Sequence, residues 1–165
     1  MWLFHKTTVL SRSGLLKGMV DCHSHLLPGV DDGVQSMEES LQILREMEQQ
    51  GIRRVWLTPH IMEDIPNETL ALQRKFRELL QQYRGAVELK LAAEYMLDNL
   101  FEERLEKEDL LLLEEGKRFL LVDTAYFNPP MDLLSVLQRI QNKGIILCWH
   151  IRNGMNICRR KTIIL

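Results

Sequence analysis

Asp21-Cys22-His23-Ser24-His25-Leu26-Leu27-Pro28-Gly29-Val30-Asp31-Asp32-Gly33 gathers two histidines and three aspartates into thirteen residues. The run opens on Met19-Val20-Asp21-Cys22, which follows Gly18 and reads as a short buried strand. Residues two apart on a strand share a face, so His23 and His25 point the same way and both reach one ion. The intervening Cys22 is expected on the opposite face, in packing. After the Pro28-Gly29 turn come Asp31 and Asp32, which read either as ligands or as a turn carrying a solvated acid pair.

Outward from this stretch, strand and helix signals alternate. Ser36-Met37-Glu38-Glu39 has the form of a capping box, and Met37, Leu41, Leu44 and Met47 line one face of a helix that ends at Gln50-Gly51. Val55–Thr58 is a second strand, stopped by Pro59. Asn67 is placed to cap a second helix, reaching about Tyr83 with Leu72, Phe76, Leu79 and Leu80 apolar. Val87–Ala92 is a third strand, and Leu97–Leu113 reads as one or two short helices. Phe119–Val122 is a fourth strand, Met131–Asn142 a helix closed by Gly144, and Ile145–Cys148 the start of a fifth strand. Strands recurring every roughly 25–35 residues with helices between them predict an α/β fold of parallel strands, either an open doubly wound sheet or a barrel.

Each strand hands over at its C-terminal end to a residue able to bind metal. The first gives Asp21, His23 and His25, the second His60, the third Glu94 and the fourth Asp123. In a parallel barrel these ends share one face, where such folds place their sites. Imidazole and carboxylate together suit Zn, Mn or Fe, and a set this size serves two or three ions. Such ions bring the pKa of bound water toward ~7 and clamp phosphoryl oxygens. Singly, each residue also has a structural reading. His60 can be a hydrogen-bonded strand-end histidine, Glu94 the partner of a nearby arginine, and Asp123 the cap of a turn.

Composition narrows the classes. The chain has 165 residues, 45% apolar and 27% charged, with a formal net charge of −2. That balance fits one globular domain and gives nucleic acid no basic face. No apolar stretch approaches the ~20 residues that span a bilayer. Cys22, Cys148 and Cys158 show no paired spacing, which fits a reducing, cytoplasmic setting.

The Asp21–Gly33 stretch resembles the opening motif of the PHP (polymerase and histidinol phosphatase) superfamily. More narrowly it resembles the bacterial protein-tyrosine phosphatases of capsule and exopolysaccharide synthesis. Thr58-Pro59-His60, Ala93-Glu94 and Tyr126-Phe127-Asn128-Pro129-Pro130 fit the same subfamily. The resemblance implies a distorted (β/α) barrel of parallel strands, of which about five are present here. It implies Mn or Fe ions held by His23, His25, Asp32, His60 and Glu94, with Glu94 bridging. The implied substrate is phosphotyrosine on the tail of a membrane-associated tyrosine kinase that controls polysaccharide export. Another PHP-type phosphoesterase, acting on a small phosphate ester, is the alternative within enzymes. Asp123 stands where the family has a glutamate ligand, one methylene longer.

The family continues after its fifth strand with His-Pro-Glu-Arg-Tyr, which supplies a metal ligand and a phosphate-binding arginine, and later with an Asp-x-His pair. Neither follows Ile146. Reading the last base of each codon with the first two of the next, Trp149-His150 forces alanine and Met155-Asn156 forces glutamate, while His150-Ile151 allows only histidine or tyrosine. Permitted codons from Ile146 onward then spell Pro-Val-Leu-Ala-His-Pro-Glu-Arg-Tyr-Glu-Tyr-Met. The sequence is therefore expected to divide into an N-terminal arm (1–18), the front of a barrel domain (19–146) and an out-of-frame tail (147–165) in which His150 is no ligand. That division predicts fewer bound ions, impaired activity or a binding-only remnant, and self-association through an open barrel edge.

Overall fold

The computed structural model describes residues 14–114, 116–123 and 132–149. The first part of the arm, the Tyr126–Pro130 motif and the segment from His150 to Leu165 lie outside the described residues. The element order is β1 (Val20–Ser24), α1 (Met37–Gln49), β2 (Arg54–Leu57), β3 (His60–Ile61), α2 (Thr69–Gln82), β4 (Glu88–Leu91), β5 (Glu94–Met96), α3 (Asn99–Lys107), β6 (Leu113–Glu114), β7 (Arg118–Asp123), α4 (Leu133–Asn142) and β8 (Ile146–Trp149).

β1, β2 and β4 pair in parallel in that order, and β3, β5, β7 and β8 do the same, with β6 antiparallel on β7. The two sets are one curled sheet. Leu57 pairs with Leu91 and His60 with Glu94, so the register across the break is unchanged. Pro59 has no N–H to give the ladder, which interrupts it for two residues. Ala92 N still donates to Leu57 O at 2.9 Å and Glu94 N to Pro59 O at 3.0 Å. The parallel strands thus lie in the order of the chain, β1, β2/β3, β4/β5, β7, β8. Chain order without a reversal is the order of a barrel, not of a doubly wound sheet. The result is a curled half-barrel.

Helices cover the outer face. Ser36 caps α1 by accepting from Glu39 N at 3.2 Å, and Leu44 is fully buried against the sheet. Ser40, also buried, donates to Leu26 O at 2.7 Å and fixes the helix to the loop after β1. Leu72 and Leu79 bury one face of α2, while Leu80 is exposed. The core on this side includes Val55, Leu57, Tyr95, Leu120 and Val122. Trp56 and Leu121, alternate residues of β2 and β7, form a second apolar cluster on the inner face with Ala92 from the break between β4 and β5.

Two expectations are corrected. Asn67 does not cap α2: Glu68 is the N-cap, and the Asn67 amide bonds backbone carbonyls instead. Cys22 is exposed rather than packed; it lies on β1, the last strand on its side of the described sheet. Between Leu97 and Leu113 there is one helix, capped by Asp98, which accepts from Phe101 N at 2.9 Å.

Candidate metal centre

Strand alternation builds the site. His60 follows Trp56 by four residues, Glu94 follows Ala92 by two and Asp123 follows Leu121 by two, so all three rise from the inner face above the apolar cluster. His23 and His25 come from the end of β1, and Asp32 with Gly33 from the loop beyond. These seven residues line one cleft of about 380 Å³ at the carboxyl edge of the sheet. The six residues singled out from the sequence are therefore brought together. Asp21 is not among them; it accepts from His23 N at 3.2 Å, and burial raises its carboxyl above the ordinary value against that bond.

Glu94 is the hub. Its Oε2 lies 3.1 Å from His60 Nδ1, 3.4 Å from His25 Nε2 and 3.7 Å from His23 Nε2. The two Nε2 atoms stand 3.1 Å apart, and His60 Nε2 is 3.4 Å from Asp32 Oδ1. Glu94 pairs with histidines, not with an arginine.

Asp31 belongs to the site in a different way. Its buried carboxylate accepts from His25 Nδ1 at 2.8 Å, His60 N at 3.0 Å and Gly33 N at 3.0 Å. The bond fixes the tautomer of His25 and leaves its Nε2 toward the cleft, the usual device for orienting a ligating imidazole. Burial works against charge on His25, but the Asp31 and Glu94 carboxylates outweigh it and push its pKa up to about 9. Burial also opposes charge on the two acids, and again loses. The His25 bond and the Gly33 and His60 amides hold Asp31 below its ordinary value. The His25 bond and the charges of His23, His60 and His25 do the same for Glu94.

The donor set fits a metal. Ligand atoms about 2.0–2.2 Å from one ion stand roughly 3–3.5 Å apart, the spacing found here. His23, His25 and Glu94 form one group whose ligand atoms lie within 4.8 Å of one another, and His25, Asp32 and His60 form another. Buried Glu94 Oε1 and His60 Nδ1 have no hydrogen-bond partner, a cost that a cation beside them removes.

Half-barrel and cleft together place the chain in the PHP class of folds. A model of the family described as "Capsular polysaccharide synthesis, CpsB/CapC" matches residues 19–161, and the chain belongs to that family. It is 32% identical over 133 residues to the tyrosine-protein phosphatase CpsB of Streptococcus pneumoniae, covering 77% of this chain and 54% of that protein. It is 27% identical over 132 residues to the tyrosine-protein phosphatase YwqE of Bacillus subtilis, covering 78% of this chain and 52% of that protein. Crystal structures of YwqE and CpsB, described as unique metal-dependent tyrosine phosphatases, include a chain that superposes with a TM-score of 0.68 at 26% identity. That match covers 78% of this chain and 53% of the other. The chain thus spans about half the length of the curated relatives it matches.

Proposed function

We propose that this chain carries the metal-binding half of a phosphatase that hydrolyses phosphotyrosine on a tyrosine kinase of capsule or exopolysaccharide synthesis. The observation that carries the reading is the convergence of His23, His25, Asp32, His60, Glu94 and Asp123 on one cleft in a fold shared with metal-dependent tyrosine phosphatases. Those six residues would hold Mn or Fe ions, which when bound supply an activated water and positive charge opposite the phosphoryl oxygens. The chain's own work is orientation. Asp31 holds His25 with its Nε2 facing His23 and Glu94 in the cleft, and Glu94, central among three imidazoles, draws both donor groups to one centre.

Among the described residues no lysine or arginine, the side chains that grip a phosphate, lines the cleft. This favours weak turnover by the chain as it stands, and a second reading in which it binds the kinase tail without cleaving it. We further propose that residues 147–165 follow a shifted reading frame, which the coding DNA around Gly144 tests directly, and that the chain works in the cytoplasm. No helix among the described residues is long and apolar enough to cross a membrane. The half-barrel is also proposed to self-associate through its open edge.

The test pairs Mn²⁺ titration with phosphate release from a phosphotyrosine peptide and from a small aryl phosphate. Mn²⁺ binding with slow, peptide-preferring, metal-dependent release supports the main reading. Binding of peptide without release supports the second. Release that is unaffected by chelator or by Glu94→Gln defeats the metal-dependent reading.

A further inference from the structure

Arg104 is buried in α3, with only 4% of its surface exposed, although a guanidinium is costly to take out of water. Its Nη1 donates to Asp109 Oδ2 at 2.6 Å and to Thr69 Oγ1 at 3.3 Å, and its Nη2 donates to the backbone O of Asn67 at 2.8 Å. Glu68 Oε1 lies 3.4 Å from Nη2. The guanidinium therefore fixes the backbone at the entrance to α2, at the residue whose side chain faces the cleft's supports.

That side chain is an amide with two N–H bonds on one nitrogen. Asn67 Nδ2 donates to Val30 O at 2.8 Å and to His60 O at 2.9 Å. Val30 directly precedes Asp31 and Asp32, and His60 begins the two-residue strand β3. One nitrogen thus ties the loop bearing Asp31 and Asp32 to the backbone of His60. The Asp31 carboxylate closes the same ring by accepting from His60 N at 3.0 Å. β3 pairs with β5 only at His60 and Ile61, so the side-chain bonds add to a ladder of two residues.

We infer that Asn67 and Arg104 are positioning residues for the metal centre, with Arg104 acting through Asn67 to hold His60 and the Asp31–Asp32 loop in ligating register. The inference rests on the metal-binding reading above. A plain structural tie between α2 and α3 would need Arg104 and its partners but not an amide spanning two ligand-bearing segments.

The test uses the full chain and two readouts, Mn²⁺ affinity by calorimetric titration and hydrogen exchange of the His60 amide in metal-free protein. Asn67→Ala is expected to weaken Mn²⁺ binding about tenfold, the scale of other supports behind ligands, and to speed exchange at His60. Arg104→Lys is expected to do both to a smaller degree, and to add no further loss of affinity once Asn67→Ala is present. Arg139→Ala breaks the pairs of α4 with Glu102 and Glu106 on α3 without touching this chain of bonds, and is expected to change neither readout. If Asn67→Ala does not fold, Arg104→Lys against Arg139→Ala still decides. Unchanged affinity and unchanged His60 exchange in Asn67→Ala would overturn the inference, as would an Arg104→Lys effect that persists in full in the double variant. A wild-type chain that binds no Mn²⁺ would overturn the metal reading instead, while the His60 amide still reports on the tie.

Discussion

The Asp31 carboxylate bonds the His25 nitrogen that faces away from Glu94, and it also accepts from the His60 backbone amide, so one side chain holds one imidazole and the backbone beneath another. Replacing it with alanine removes three bonds at once and is expected to lower Mn²⁺ affinity about 10–100-fold by calorimetry. Asn at this position keeps an acceptor and should lose less. A pH effect follows from the same contact. His25 in the metal-free protein holds its proton up to about pH 9, above its ordinary value, so near neutral pH a cation must displace that proton. Affinity should rise with pH toward about 9 and then level, and binding enthalpies at pH 7.5 should depend on the buffer's own ionisation heat. A pH-independent affinity would contradict this. His23, His25, His60, Glu94 and Asp123 were legible because strand alternation and strand ends have a rule. Asp31 and Asp32 are neighbours in a turn, where no period says which faces inward. Gly33 lets that turn close onto β1, since a Cβ there would collide with the carbonyl and Cβ of His25.

α1 and the strands carry most of what the sequence made visible, because apolar spacing and caps survive into the packed structure. Leu44 sits at the centre of the α1 face and is fully buried. Leu44→Ala is expected to cost about 2–5 kcal/mol in chemical denaturation. The Arg139 pairs with Glu102 and Glu106, both at 2.6 Å, join α4 to α3 at the surface, and Arg139→Ala should cost less than about 1 kcal/mol. If the second loss matched the first, α4 would be held by charge and not by Val136 and Ile140, both buried. What stayed hidden at this scale were the breaks in two strands. Pro59 was visible as a stop, but that the chain resumes the same register at His60 depends on the partner strand, which no local pattern encodes. Asn67 misled for the same reason: it is a good capping residue, and two carbonyls from elsewhere in the fold compete for its amide.

At the scale of the molecule, chain-order strands identify a barrel, and the described strands form a curled half of one. β1 ends one side of the described sheet and β8, paired only with β7, ends the other. A closed barrel has no edges, whereas an open one offers a row of backbone donors and acceptors to any strand that fits. Apolar side chains sit beside these edges: Met19, just before β1, is 48% exposed and Ile146, in β8, is 41% exposed. Neither edge shows a lysine that would discourage pairing; β8 reads Ile146-Leu147-Cys148-Trp149. The expected outcome is concentration-dependent association in the micromolar range and above, seen as a rising weight-average mass in sedimentation equilibrium. Ile146→Lys places a charge on the β8 edge and should return the chain toward monomer. Because its side chain is partly exposed, it should do so with little change in the thermal midpoint. Association unchanged by Ile146→Lys would move the contact to β1 or away from the sheet. A chain that stays monomeric at every concentration would mean that both edges are covered in solution, and the proposed self-association would be wrong.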